Sequence, residues 1–212
     1  MTRKEITREK IINALIHLME EKSFEKISVL DIINNIHINR GTFYLHFFDK
    51  YNLLEQIENE IFDDLNNCFT SNNFNQLIIE ASMINSSSKN TETFYHIKQF
   101  LTDIYASIDK HADIIKVLLS RNGSLSTSYK FNSFFKKTII NNIGFIIKNK
   151  ETKIPKDYIF AIAIGVHYNI VIEWINKTKR ESPQELAEIA TSVIFPVVQQ
   201  IIFNDNKSII KT

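Results

Sequence analysis

Only four glycines and three prolines punctuate this chain of 212 residues. A sheet protein reverses direction roughly every 8–12 residues, and glycine and proline supply the backbone angles that such turns need. This chain has far too few of either for that many turns, so an all-α fold is expected. The length allows one domain or two small ones and suffices for a real core.

Bulk charge decides little. The net charge is +1, and residues 1–50 carry eight Lys/Arg against seven Asp/Glu. Any case for a nucleic-acid partner must therefore rest on where particular residues sit. Cys68 is the single cysteine, which excludes a disulfide framework or a cysteine zinc site. The six histidines (17, 37, 46, 96, 111 and 167) show neither i, i+4 pairing nor HExxH spacing, so no metal site and no cofactor is expected. The opening MTRKEITREK leads into an amphipathic segment and not an apolar signal core, which predicts a cytoplasmic protein. The longest apolar stretch, Tyr158 to Val166, is broken by His167 and Asn169 and falls short of the ~20 residues of a membrane span. A buried helix without a membrane partner is the expectation.

From Thr7 to Lys22 the apolar residues Ile11, Leu15, Leu18 and Met19 recur at helical spacing, with Ile12 and Ile16 alongside. Ser23 to Lys26 interrupts them. Ser28 followed by Asp31 is a capping-box pattern for a second helix, whose core face is Val29, Ile32, Ile33 and Ile36. After a break at His37-Ile38, Asn39 can cap a third, short helix through about Phe47. A fourth starts near Asp49 and runs toward Phe69. Short helices with a tight turn between the second and third make a helix-turn-helix unit.

Further helices are predicted at about 74–84, 91–109, 111–120, 127–149, 157–178 and 183–204. Asn85 to Ser88 and Arg121 to Ser124 read as loops. Pro155 separates two helices, Ser182-Pro183 opens another, and Pro196 should kink the last. The predicted organisation is a helix-turn-helix domain over 1–50 and a second helical domain over 51–212.

A short helix that enters the major groove needs small or polar residues at its leading end, where the backbone approaches base edges. Asn39, Arg40, Gly41 and Thr42 meet that need, and Arg40 can either bond guanine or neutralise a phosphate. Tyr44, His46 and Lys50 offer a hydroxyl, a ring N–H and a charge to phosphate oxygens. Phe43 and Phe47 fall on the opposite, buried face. Arg3, Lys4, Arg8 and Lys10 suit a solvated tail and a DNA-contacting arm equally well.

The run Asn39-Arg40-Gly41-Thr42-Phe43-Tyr44, then His46-Phe47, Asp49-Lys50 and Leu53-Leu54, with Phe24 and Ser28 upstream, resembles the TetR/AcrR family of transcription regulators. The resemblance implies a homodimer that binds double-stranded DNA at a palindromic operator. It implies backbone-contacting roles for Ser28, Thr42, Tyr44, His46 and Lys50, and base-facing roles for Asn39, Arg40 and Gly41. The chain departs from the family at Ile36, where Ala is usual, and at His37, where Gly is usual. Histidine tolerates positive φ better than most residues, so the turn remains feasible.

Beyond residue 54 no catalytic constellation is readable: there is no GxSxG and no phosphate-binding glycine loop, so an enzyme is not expected. Aromatic residues are abundant. They suit an ordinary core, or the apolar wall of a pocket for a small apolar or amphipathic effector. For such a pocket the expected lining is Tyr105, Phe131, Phe135 and Tyr168, with His167 as a polar anchor. The stretches Leu118 to Gly123 and Asp157 to Pro183 resemble the C-terminal domain of Firmicute members of the family. Dimerisation is expected through 157–178 and 183–204, using Ile159, Ile162, Ala163, Val166, Ile170 and Val171 on the first helix. Ile189, Val193, Val197 and Ile201 form the stripe on the second. The alternative is a dimeric DNA-binding protein whose bundle takes a protein partner and no small effector.

Overall fold

The computed structural model describes residues 1–70, 91–148 and 155–203. Every regular element among them is a helix. The helix expected at 74–84 and the loop at 85–88 lie outside the described residues.

The chain forms two compact units. The first, here the head, comprises Met1–Asp64 and His111–Phe131, and the second, the bundle, comprises Leu65–Lys110 and Asn132–Thr212. Where the sequence suggested a division at residue 50, the head continues to Asp64 and takes in a segment that returns to it after Lys110.

In the head, α1 spans Arg3–Glu21 and buries Ile11, Ile12, Ala14, Leu15, Leu18 and Met19. It begins four residues before the predicted start, because Thr2 and Glu5 form a capping box that satisfies the first free N–H groups. A 3-10 turn at Phe24–Lys26 leads to α2 (Val29–Asn35), capped by the expected Ser28–Asp31 box. Asp31 is held down to about pKa 2, chiefly by its hydrogen bonds from Ser28 and then by Lys22. Ile32 and Ile33 are buried, Val29 and Ile36 only partly.

His37 follows with φ of 54°, a left-handed backbone that reverses the chain into α3 (Arg40–Tyr44). That helix stops short of the predicted Phe47, and Phe43 and Phe47 are both buried beneath it. α4 runs over Lys50–Thr70, and Asp49 accepts the Asn52 N–H at 2.7 Å at its start. The returning segment supplies α6 (Ala112–Leu118), packed on α1, and residues 125–131 of α7 (Leu125–Lys148).

The bundle contains α5 (Thr91–Lys110), the remainder of α7, α8 (Lys156–Asn176) and α9 (Pro183–Phe203). Ser182 and Glu185 cap α9 reciprocally, with Pro183 at its first position. The helix continues past Pro196 to Phe203. It packs on α5 and α8, and Lys98 on α5 pairs with Glu188 at 2.7 Å.

Residues 157–176 of α8 are long and apolar enough to cross a membrane by length and composition alone, more so than the broken stretch in the sequence suggests. The side chains decide otherwise. Ile159, Phe160, Ile164, His167, Val171, Trp174 and Ile175 are buried within the protein, and the Trp174 indole N–H donates to the Glu181 carbonyl at 2.8 Å. One side of this helix belongs to the core of the bundle, and Tyr158 and Ile162 on it are exposed.

Candidate nucleic-acid interface

α3 is only five residues long, so its geometry depends on its cap and on what lies beneath it. The Asn39 side-chain oxygen accepts from the Thr42 N–H at 2.7 Å and from the Thr42 hydroxyl at 3.0 Å. The side-chain NH2 of Asn39 remains available as a donor at the exposed leading end. A Cβ on Gly41 would stand 3.3 Å from that capping oxygen, so glycine keeps this end narrow and the cap undisturbed. Phe43 below packs edge-on against Tyr44 and tilted against Phe47, which fixes the helix to the core.

The structure gathers the predicted residues on this element and its flanks. Arg40 Nη2 donates to the Tyr44 hydroxyl at 3.2 Å, and its guanidinium lies 5.6 Å from the centre of that ring. A long, mobile cation is thereby aligned along the exposed side of the helix. His46 is half-buried, and burial, followed by the positive charges of Lys4 and Arg8, pushes its pKa below the usual histidine value.

Three residues read as possible DNA contacts have partners within the protein. The Ser28 hydroxyl donates to Asp31 at 2.7 Å, so its side chain is committed to the cap of α2. Lys50 Nζ donates to the carbonyls of Phe24 and Glu25, both at 3.0 Å, and sits 4.7 and 5.0 Å from the ring centres of Phe24 and Tyr51. Its ammonium ties α4 to the 3-10 turn, and any phosphate it meets shares it with those carbonyls. Arg8 is neither free tail nor free arm: it is paired with Glu60, bonded to Gln56 at 3.3 Å and stacked over Phe47 at 5.6 Å.

The sequence reading missed what fastens the returning segment to the head. Phe24 N–H donates to the Asn122 carbonyl at 2.8 Å, and the Asn122 side chain donates to the Glu20 carbonyl at 3.2 Å. Gly123 lies so close to Leu118 that an added Cβ would stand 1.9 Å from its carbonyl oxygen. The buried Glu58 accepts from the Thr127 hydroxyl at 2.6 Å and pairs with Lys130 at 2.5 Å. A signal for Glu58 existed: it falls on the apolar stripe Leu54, Ile57, Ile61 and Leu65, where a carboxylate needs partners.

The residues expected to line an effector pocket are distributed over both units. Phe131 belongs to the head, where it packs 4.8 Å from the Phe62 ring centre. Tyr105, Phe135, His167 and Tyr168 belong to the bundle. Tyr105 and His167 stack with centroids 5.4 Å apart and share a hydrogen bond of 3.3 Å between the hydroxyl and Nδ1. Burial raises the Tyr105 pKa and lowers that of His167 to about 4, so both are neutral at pH 7. Among the described residues no cluster suited to a metal ion occurs.

Comparison with known proteins agrees with this geometry. Residues 11–57 match the model of the bacterial regulatory proteins, tetR family, and residues 95–196 match that of a transcriptional regulator C-terminal region. Among curated proteins none matches. Among solved structures, the chain is similar to a TetR transcriptional regulator from Streptococcus agalactiae 2603V, with TM-score 0.56 and 19% identity over 91% of this chain and 95% of that one. A TetR-family regulator from Syntrophomonas wolfei gives TM-score 0.57 and 19% identity over 92% and 96%. The dihydroxyacetone kinase operon activator DhaS gives TM-score 0.51 and 20% identity over 93% and 98%. At such identities these three show a shared fold.

Proposed function

The chain belongs to the TetR family of bacterial regulatory proteins, and on that premise we propose that it is a dimeric cytoplasmic repressor, released from a palindromic operator by a small apolar or amphipathic effector. As a member it is a DNA-binding transcription regulator and not an enzyme. The observation that carries the reading is the exposed leading end of α3, where Asn39 caps the helix, Gly41 keeps the edge narrow and Arg40 is aligned by Tyr44. Arg40, Asn39 and the narrow edge at Gly41 face bases. Thr42, Tyr44, His46, Lys50 and the start of α2 at Ser28 face phosphates.

One such helix covers only a few base pairs. Two copies about 34–36 Å apart, one turn of DNA, give a selective complex. Tyr158 and Ile162 on α8 and Ile189 and Val193 on α9 are exposed in the single chain and form the apolar patch for a second copy. Ile159 and Val171, also expected there, are buried within the chain's own core. The side chains of Ala163, Val197 and Ile201 lie outside the described residues.

Fluorescence anisotropy on DNA from the region upstream of the chain's own gene tests the DNA role. Binding that is selective over random DNA and weakens steeply with salt is the expected result. Binding of equal strength to any sequence would count against it. A reporter fused to that region reads the sign, since the similar DhaS is by name an activator. A thermal-shift screen of small amphipathic molecules tests the effector. The filled contact between Tyr105 and His167 favours a second reading, in which the bundle takes a protein partner and no small effector.

A further inference from the structure

The head carries an open cleft of about 760 Å³ that the DNA-binding role does not use. Its walls come from the 3-10 turn, the start of α4 and the start of α7. Phe48 and Leu125, both lining it, are 83% and 91% exposed, which is unusual for large apolar side chains. The carboxylates of Glu25, Asp49 and Glu55 stand among its lining, and Glu55 has no hydrogen bond or ion pair among the described residues. The cation in the lining, Lys130, is already neutralised by Glu58.

We propose that this cleft is a docking site for a protein segment presenting an apolar side chain flanked by Lys or Arg. Charge selects the class. Lys50 lies against the Phe24 and Tyr51 rings at the edge of the cleft, and even against its charge the carboxylates of Glu25, Asp49 and Glu55 leave the cleft net negative. Such a field repels DNA phosphates, so Phe48 and Leu125 are not exposed for a nucleic acid. The same field attracts a basic segment, while covering two exposed apolar side chains supplies the adhesion. Shape selects a macromolecule over a small ligand: a drug-sized molecule is held when most of its surface is buried, and an open cleft with exposed walls leaves it largely in water. The turn Phe48-Asp49 also lies between His46 and Lys50, so an occupant of the cleft abuts the segment that faces DNA.

The test uses the full chain and three short labelled peptides of one length. One alternates Lys with Leu and Phe, one replaces Lys by Glu, and one replaces Leu and Phe by Ser. At about 150 mM salt, where long-range attraction is screened, the basic apolar peptide should bind at least about tenfold more tightly than either control. Phe48→Ser with Leu125→Ser should abolish that preference, and Glu25→Gln with Glu55→Gln should weaken it severalfold. All four positions are exposed, and an unchanged melting temperature verifies that the variants fold. Equal binding of the three peptides, or undiminished binding to the Phe48/Leu125 variant, would overturn the proposal. So would saturable binding of phenylalkylammonium ions without peptide discrimination, which would assign the cleft to a small cation.

Discussion

The head buries a carboxylate and the bundle buries an imidazole, and the two handle the charge in opposite ways. Glu58 keeps partners for its charge, with a hydroxyl on one oxygen and the Lys130 ammonium on the other. His167 has a tyrosine beside it and no ionic partner among the described residues, so desolvation holds it neutral. A charged pair fastens elements in one geometry, whereas a neutral stacked pair fits the interior of a bundle at little electrostatic cost. Around Glu58 the head is pinned by a buried charge with its partners, whereas around His167 the bundle is held by a neutral stacked pair.

The sharpest way to break this contrast is at Gly123. An alanine there would place its Cβ 1.9 Å from the Leu118 carbonyl oxygen and 2.8 Å from its carbon, both backbone atoms. The loop must shift, and it carries the Asn122 contacts to Phe24 and Glu20. Gly123→Ala should cost about 3 kcal/mol or more, lowering the melting temperature by roughly 6–12 °C. Calorimetry reads the first effect and anisotropy the accompanying loss of DNA affinity. An unchanged melt would show that the head does not depend on the returning segment.

Acid should act on the bundle through His167. Its pKa of about 4 lies below the ordinary 6.5, so the unfolded chain takes up a proton between those values and the folded chain does not. Stability is therefore unaffected by this group above pH 6.5 and falls as pH drops from 6.5 to 4, by up to roughly 3 kcal/mol. His167→Gln retains a hydrogen-bonding side chain beside Tyr105 and cannot titrate. Urea midpoints measured across that window should fall less steeply for the variant, and parallel curves would remove His167 from the account.

Arg40→Ala addresses the head's function with a smaller effect. Loss of the aligned guanidinium should weaken specific binding by about 1–3 kcal/mol and relax preference at one base pair per half-site. Stability should barely change, because Arg40 is exposed. Lys50→Ala offers the complementary case: it should reduce affinity for every sequence and also soften the head, since Lys50 bonds two backbone carbonyls. A titration against single-base operator variants separates the two. An unaltered base preference in Arg40→Ala would mean that α3 is oriented differently.

What the sequence disclosed follows the range of the interaction. The caps at Ser28–Asp31, Asn39–Thr42 and Ser182–Glu185 span three residues, and a three-residue rule finds them. Thr2–Glu5 obeys the same rule but precedes the apolar stripe that marked α1, and so escaped it. α3 ends at Tyr44 because its length answers to Phe43 and Phe47 in the core, not to local propensity. The residues proposed to face DNA were read as types and positions. Their commitments were not: Lys50 bonds residues about 25 positions away and Asn122 a residue 102 away. No periodicity encodes such contacts.

The smallest expected effect tests whether the turn of the head is strained. His37 holds φ at 54° between α2 and α3 and is exposed. A side chain in this region costs on the order of 1 kcal/mol, which glycine avoids. Glycine in turn loses about 0.5–1 kcal/mol through the greater freedom of the unfolded chain. The two terms nearly cancel, so His37→Gly should stabilise the protein by no more than about 0.5 kcal/mol, close to the resolution of a denaturant titration. Its value lies in direction. The turn sets how α3 is presented relative to α2, so relaxing it should leave operator affinity unchanged if Asn39 and Phe43 hold that angle, as their contacts indicate. A variant that is more stable but binds DNA several times more weakly would place the control of α3 in the strained turn and not in the cap and core below it.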